Sequence, residues 1–295
     1  MCGHSSGSPG GLWHFDGKEW KVVDIFNLLG EGGSYYAVHG LSEKDIWVVG
    51  GQLGNYEKRI YNPLIIKYDG IKWQRYRLEA NIKSFLYSVY VKDKNDVWIC
   101  GSNGIVGHYN HIYYKWEIDT VKIEIPEDGD YSLYSIGCMN GKTYVYGNIS
   151  EEYGLKYTFY FFEYDGNNWR TIDSFKYDKN STFQKFGTNK MIVSLNNNLY
   201  TMGFGLWKRE TGKWTDMIEY KKDFRGFYEM DENNMLIVGS FGEIYHFNGS
   251  NWQSIDIPND DNFHYTGVFM TKTSTTIIGL YLDQSIQKTI VWKGK

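Results

Sequence analysis

A phrase that closes on Gly-x-x-Trp recurs along the chain. It reads Leu-Trp-His-Phe-Asp-Gly-Lys-Glu-Trp at 12–20, Ile-Lys-Tyr-Asp-Gly-Ile-Lys-Trp at 66–73, Phe-Glu-Tyr-Asp-Gly-Asn-Asn-Trp at 162–169 and Tyr-His-Phe-Asn-Gly-Ser-Asn-Trp at 245–252. Looser copies run from His108 to Trp116 and from Leu206 to Trp214. A second phrase precedes most of them: Asp-Ile-Trp-Val-Val-Gly (45–50), Asp-Val-Trp-Ile-Cys-Gly (96–101), Thr-Tyr-Val-Tyr-Gly (143–147) and Met-Leu-Ile-Val-Gly (235–239). The closing tryptophans Trp20, Trp73, Trp116, Trp169, Trp214 and Trp252 are 38 to 53 residues apart. A repeat of about 40 to 50 residues is the period of propeller blades.

Each unit reads as four short strands. In the first, Tyr36–Leu41, Asp45–Gly50, Leu64–Tyr68 and Lys72–Leu78 are separated by polar turns, and the last turn is Asp69-Gly70. Asp-Gly or Asn-Gly between two alternating runs is the strongest local hairpin signal. The 26 Tyr, 16 Phe and 11 Trp favour strands, the 33 Gly favour turns, and no stretch carries a sustained helical period. These features predict an all-β chain, a six-bladed β-propeller of four-stranded antiparallel blades. Five complete units span Tyr35–Ile257, and three strands follow at Thr266–Thr271, Thr275–Tyr281 and Lys288–Trp292. The N-terminal strand Lys18–Val23 is expected to complete this last blade and close the ring, which removes exposed strand edges. Leu12–Phe15 and Thr289–Trp292 both match the third-strand phrase, and the sequence leaves both open. Residues 1–11 read as a flexible tail or lipoprotein tether, and 12–295 as a single propeller domain.

Units built as Asp-x-Trp-x-Val-Gly followed by Tyr-Asp-Gly-x-x-Trp resemble the repeat of secreted bacterial β-propeller proteins. Asn95–Tyr109 and Met235–Trp252 are the cleanest copies, and the fourth unit departs, with Tyr200-Thr-Met-Gly-Phe in place of the tryptophan phrase. The resemblance implies the fold and, for function, little beyond a binding scaffold. Likeness to sialidase Asp-boxes is superficial: no Ser leads the Asp-Gly turns, and the arginines share no repeat position.

Met-Cys-Gly-His-Ser-Ser-Gly-Ser-Pro-Gly-Gly opens the chain. Cys2 before a Gly/Ser tether looks like a mature lipoprotein start, lipidated at Cys2 and lodged in a bacterial envelope. A vector leader or a cytosolic start shares that composition. Cys100 and Cys138 lie within strand phrases without metal spacing, as small buried thiols; a disulfide requires their strands to adjoin. The net charge of −4 excludes a generally basic surface, so nucleic acid is not expected as a partner. No run of 18 apolar residues offers a membrane helix; a lipid on Cys2 is the expected membrane link.

Long connections fall on one face: Gly51–Pro63, Asp119–Tyr131, Asn148–Thr158, Asp173–Phe183 and Asp256–Phe263. Function on repeat scaffolds concentrates in such insertions. With units aligned on the glycine ending strand two (Gly50, Gly101, Gly147, Gly239, Gly279), strand one opens on Tyr36, Tyr87, Tyr134 and Tyr265, and on Arg225 in the fifth unit. Tyrosine offers a flat ring and a hydroxyl suited to sugars or peptide side chains. The competing reading is packing between blades. Arg225, a cation among tyrosines, suits a carboxylate or an aromatic ring. These five residues are the candidate ligand-binding set.

Ile125–Asp130 and Ile257–Asn262 carry clustered carboxylates and amides that would suit calcium, without EF-hand spacing. No other cofactor is expected. His14, His108 and His246 share one repeat position with Lys67 and Glu163, which reads as a solvated strand position. No phosphate loop, nucleophile elbow or zinc motif appears. The expected function is non-catalytic recognition of a protein or glycan, secreted or lipid-anchored. A glycan-active hydrolase or lyase using loop carboxylates, and a structural component of a surface assembly, are the alternatives.

Overall fold

The computed structural model describes residues 11–29, 33–55, 60–78, 81–178, 184–257, 261–283 and 286–294. The chain divides into two compact units, Met1–Asn180 and Ser181–Lys295. In the first, β1 (Trp13–Phe15) and β2 (Trp20–Val22) form a hairpin, followed by the short helix α1 (Ile25–Leu29). Three four-stranded antiparallel sheets come next. They are β3 (Ser34–Ser42), β4 (Asp45–Asn55), β5 (Ile60–Tyr68) and β6 (Trp73–Tyr76); β7 (Leu86–Asp93), β8 (Asp96–Gly101), β9 (Ile105–Asn110) and β10 (Lys115–Thr120); and β11 (Asp130–Met139), β12 (Lys142–Glu151), β13 (Lys156–Tyr164) and β14 (Trp169–Asp178).

The second unit holds two four-stranded sheets and one of three strands. The first two are β15 (Lys190–Val193), β16 (Leu199–Gly203), β17 (Gly205–Glu210) and β18 (Lys213–Asp216), then β19 (Phe224–Asp231), β20 (Asn234–Gly239), β21 (Ile244–Phe247) and β22 (Trp252–Ser254). The last is β23 (Phe263–Met270), β24 (Thr275–Asp283) and β25 (Ile286–Gly294). In every sheet, consecutive strands are hydrogen-bonded neighbours.

The expected all-β architecture of four-stranded antiparallel sheets is present. The termini differ from expectation. Thr289–Trp292 fill the third position of the last sheet, with Trp292 opposite Ile277, while Trp13–Phe15 pair with Trp20–Val22. The N-terminal strand is therefore held by β1 in a two-stranded sheet, and the last sheet has three strands. Leu12 and Ile25 anchor this segment in a core with Tyr35, Val48, Leu64 and Ile66. The connection 148–158 is also largely strand: β12 and β13 pair out to Glu151 opposite Lys156. Ile149 opposite Thr158 and Ser150 opposite Tyr157 extend the ladder with strand-favouring side chains instead of leaving a loop.

The repeated phrase has a local cause. The Asp or Asn before each Gly accepts backbone hydrogen bonds from the two residues ahead, closing the turn with its side chain. Asp69 Oδ1 takes the N–H groups of Ile71 and Lys72, both at 2.9 Å, and Asp165 Oδ1 those of Asn167 and Asn168, both at 2.9 Å. Gly70 sits at φ 92°, which a side chain would strain. This turn sets the closing tryptophan directly opposite an aromatic on strand three. Ring centroids are 5.3 Å apart for Phe15–Trp20, 5.2 Å for Tyr68–Trp73, 5.3 Å for Tyr109–Trp116, 5.0 Å for Tyr164–Trp169 and 5.3 Å for Phe247–Trp252. In the irregular fourth unit Arg209 lies over Trp214 at 5.0 Å instead. Cross-strand aromatic pairs are the unit of sheet stabilisation, each contributing about 0.2–1 kcal/mol over Ala pairs.

Sheets pack face to face within each unit. Trp47, Val49 and Ile65 meet Leu86, Val97, Ile99, Tyr109 and Trp116 in one core layer. The next layer holds Trp98, Cys100, Val106, Leu133, Val145 and Phe162. The histidine position is structural as well as partly solvated: it pairs with the residue that opens strand two. Lys67 Nζ meets Asp45 at 3.0 Å, His108 Nε2 meets Asp96 at 3.0 Å, His246 Nε2 meets Asn234 at 2.9 Å, and Lys142 reverses the order by bonding Glu163 at 3.0 Å.

Candidate functional site

Each of the first strands β3, β7, β11, β19 and β23 contains a one-residue register shift near its start: Tyr35/Ala37, Leu86/Ser88, Leu133/Ser135, Phe224/Gly226 and Tyr265/Gly267. The residue before each shift is buried and pairs with the strand-two glycine, Gly50, Gly101, Gly147, Gly239 or Gly279. The backbones approach so closely that a Cβ on Gly50 would collide with the Ser34 carbonyl oxygen, and one on Gly239 with that of Asp223. The extra residue of a bulge leaves the ladder and is aimed away from its neighbours. In order these residues are Tyr36, Tyr87, Tyr134, Arg225 and Thr266.

In the first unit the bulges bring three expected tyrosines together. Tyr36 and Tyr87 meet edge to face with centroids 5.0 Å apart, and Tyr87 and Tyr134 are tilted at 5.0 Å. Phe85 braces the row, 5.7 Å from Tyr36 and 5.2 Å from Tyr87, and Tyr61 lies 5.4 Å from Phe85. Tyr36 is half exposed, while Tyr87 and Tyr134 are partly buried. Burial pushes the Tyr87 phenol up to about 12, with the neighbouring tyrosines adding to the rise and Ser132 opposing it by hydrogen bonding. Tyr134 is raised by burial and also bonds Ser132. Tyr87 and Tyr134 therefore present neutral phenols, able both to stack and to hydrogen-bond.

The other two expected residues lie in the second unit and differ from expectation. Arg225 is exposed but not a lone cation: its Nε and Nη2 both donate to Asp223 Oδ2, at 2.9 and 2.8 Å, and Ser240 Oγ donates to the same oxygen at 2.8 Å. Tyr265 is fully buried in the core with Leu236, Val238, Ile244 and Ile277. Its strand gives the bulge position to Thr266, which is exposed. The reason is a missing second irregularity. β3, β7 and β19 shift register again before their turns, at Gly40/Ser42, Val91/Asp93 and Glu229/Asp231; β11 and β23 do not, so their bulge residues stand one position nearer the strand-two glycine, and the count that fits Tyr36, Tyr87 and Arg225 runs one residue past Thr266 to Tyr265.

Phe85, Tyr61 and Ser132 belong to the row but carry no repeat signature. A signal existed for Phe85 alone, which stands two residues before Tyr87 and so alternates onto its side of the strand. Cys100 and Cys138 are buried free thiols, not a disulfide; Cys100 Sγ donates to the Leu133 carbonyl at 3.4 Å, and Cys138 Sγ lies 3.4 Å from Thr143 Oγ1. Among the described residues no group of three or more His, Cys, Asp or Glu side chains is arranged for a metal. Asp128 of the first acidic connector accepts the Glu152 N–H at 3.2 Å. Cys2 and residues 258–260 of the second connector lie outside the described residues.

No family model matches the chain, and no curated protein matches it. Solved structures do. YCF48 from Cyanidioschyzon merolae is similar with a TM-score of 0.56 and 13% identity, over 89% of this chain and 83% of that one. An alpha-L-arabinofuranosidase from Fusarium graminearum, in complex with an iminosugar inhibitor, gives a TM-score of 0.53 and 14% identity, over 88% and 92%. A structure described as YCF48 bound to D1 peptide gives 0.41 and 14% identity, over 83% and 88%. At these identities the likeness is one of fold. The chain is an all-β protein of four-stranded antiparallel sheets that resembles β-propellers.

Proposed function

We propose that the protein is a non-catalytic binding scaffold that recognises a protein or glycan partner on the row Tyr36–Tyr87–Tyr134. The observation that carries this reading is the row itself. Three side chains from three separate sheets are thrown out by the same bulge and meet at 5.0 Å spacing. Core packing alone would bury them, as it buries Tyr35, Leu86 and Leu133 one position earlier. A rigid, partly exposed aromatic strip with hydroxyls binds planar or amphipathic groups at low entropic cost.

The same proposal takes the whole of 12–295 as one six-bladed propeller, the five four-stranded sheets and β23–β25 counting as its blades. A single cooperative unfolding transition would support it, and two separable transitions would oppose it. Secretion or lipid anchoring through Cys2 belongs to this reading, supported by the Gly/Ser tether and testable by mass spectrometry of the N-terminal peptide.

The experiment is a parallel screen of the full chain on glycan and peptide arrays beside Tyr87→Ala and, as a surface control, Tyr113→Ala, with each fold confirmed by circular dichroism. Ligands retained by wild type and Tyr113→Ala but lost by Tyr87→Ala support the row as the site. Retention by all three proteins, or by none, contradicts it.

A further inference from the structure

The bulge that lifts tyrosines out of the first unit lifts Arg225 out of β19 in the second, and the side chains around it are of another kind. The residue two before the bulge braces it in both units. In β7 this is Phe85, packed on Tyr87 with centroids 5.2 Å apart. In β19 it is Asp223, which takes the Arg225 Nε–H and Nη2–H on one oxygen at 2.9 and 2.8 Å. Ser240 Oγ donates to the same oxygen at 2.8 Å, so the carboxylate is itself held. A guanidinium can grip a planar anion along its Nε–Nη2 side or with its Nη1–Nη2 end. Asp223 occupies the side. The end fork keeps its donors: among the described residues Asp223 is the one group bonded to Arg225, and the neighbouring Lys222 is paired with Glu243 at 2.6 Å.

Two phenylalanines adjoin this pair through the backbone and remain exposed. Phe204, between Gly203 and Gly205, forms a β-bridge with Asp223. Phe241 follows Ser240, whose N–H bonds to the Asp223 carbonyl at 3.0 Å. Phe241 sits at φ 61°, a left-handed conformation that a bulky side chain enters at a cost. The matching residue of the second sheet, two after its strand-two glycine, is Asn103 at the same φ of 61°, and Asn tolerates that conformation. Among the described residues the ring that meets Phe241 is that of His264, at 5.2 Å, and Phe241 stays 60% exposed. Packing within the chain therefore does not account for a phenylalanine here; contact with a bound apolar group does.

We propose that Arg225, Phe204 and Phe241 form a second binding site, for an acidic residue flanked by large apolar side chains in a partner protein. The Arg225 end fork would take the carboxylate with two parallel hydrogen bonds, and the phenyl rings its apolar neighbours. Asp223 is a positioning residue: it offsets the charge of Arg225, so recognition rests on the orientation of the fork and not on net charge. The phenyl rings carry no hydroxyls to meet those of a sugar, which favours a peptide over a glycan. The site uses no residue of the tyrosine row.

The probe is the capped pentapeptide Gly-Phe-Glu-Phe-Gly, titrated into the full chain while the Arg225 Nε–H is followed by NMR; variants are titrated by calorimetry. A saturable shift is expected, with about tenfold weaker binding when the peptide Glu becomes Gln. Arg225→Lys keeps the charge and loses the fork, and should weaken binding by about the same factor. Phe241→Asn installs the residue the backbone prefers, so its urea midpoint should not fall while its affinity for the peptide drops. Asp223→Asn separates geometry from charge, and weaker binding is expected because the fork loses its brace. Tighter binding by Asp223→Asn, unchanged affinity for the Gln peptide, or absence of a saturable shift overturns the proposal. So does saturation by glucuronic acid where the peptide gives none, because the fork would then belong to an acidic sugar.

Discussion

Tyr36 and Tyr87 meet edge to face, 5.0 Å between ring centroids, although each belongs to a different sheet. The contact exists because both are bulge residues, each pushed out one position after a buried neighbour. The bulge in turn depends on a strand-two glycine that lets strand one approach. The tyrosine row and the core packing are thus set by the same backbone irregularity.

Gly50→Ala tests that dependence. The new methyl would collide with the Ser34 carbonyl, which is backbone and cannot step aside. A loss of about 1–3 kcal/mol is expected from such overpacking, read as a lower midpoint in urea unfolding. An unchanged midpoint would mean that strand one has room the account denies it.

Tyr87 predicts an alkaline limb. Burial holds its phenol up to about 12, above the unfolded value of about 10. An acid with a raised folded pKa contributes stability in full below the unfolded pKa, and that contribution falls away as pH rises through the folded value. Stability should therefore decline between about pH 10 and 12, and less steeply in Tyr87→Phe. Equal slopes in the two proteins would show that other phenols dominate.

Asp96 predicts the acid limb. Burial works to raise its carboxyl, but hydrogen bonds and charge from His108 and Lys92 overcome this and hold it well below the usual range. Trp98 Nε1 donates to it as well, at 2.6 Å. Stability from a lowered carboxylate is present above the unfolded pKa of about 4 and is lost as pH falls towards the folded value. Asp96→Asn should cost about 1–3 kcal/mol at neutral pH and flatten the dependence below pH 4. An acid limb as steep as that of wild type would assign the effect elsewhere.

The thiols give a kinetic check. Burial pushes Cys138 up to about 11 and Cys100 well above its ordinary value. In a Cys2→Ser variant, a thiol-specific chromogenic reagent at pH 8 should titrate nothing in the folded protein and two thiols after denaturation. Fast reaction of the folded protein would contradict the packing around Val106 and Leu133.

The sequence carried the sheets because most of them repeat the same local chemistry: an Asp or Asn turn, a closing Trp paired with an aromatic, and a tight glycine. It carried Tyr36, Tyr87 and Tyr134 because their bulges coincide with the repeat. Tyr265 was misplaced by one position because an irregularity near the strand turn is absent in β23 and leaves no mark on composition. Arg225 looked free because its neutralising partner, Asp223, sits two residues away and reveals itself only once the strand has bent. The end of the chain offered two third strands of equal pattern. Pairing of Trp292 with Ile277 settles the choice, a long-range contact that no local phrase encodes.

The central claim is that Tyr36, Tyr87 and Tyr134 form one recognition strip. Fluorine NMR of 3-fluorotyrosine-labelled protein, titrated with the best ligand retained on the arrays, tests it most directly. The account predicts that these three assigned resonances shift together with a single dissociation constant, while the exposed Tyr113 stays still. Shifts at Tyr113 with the three unchanged would contradict it.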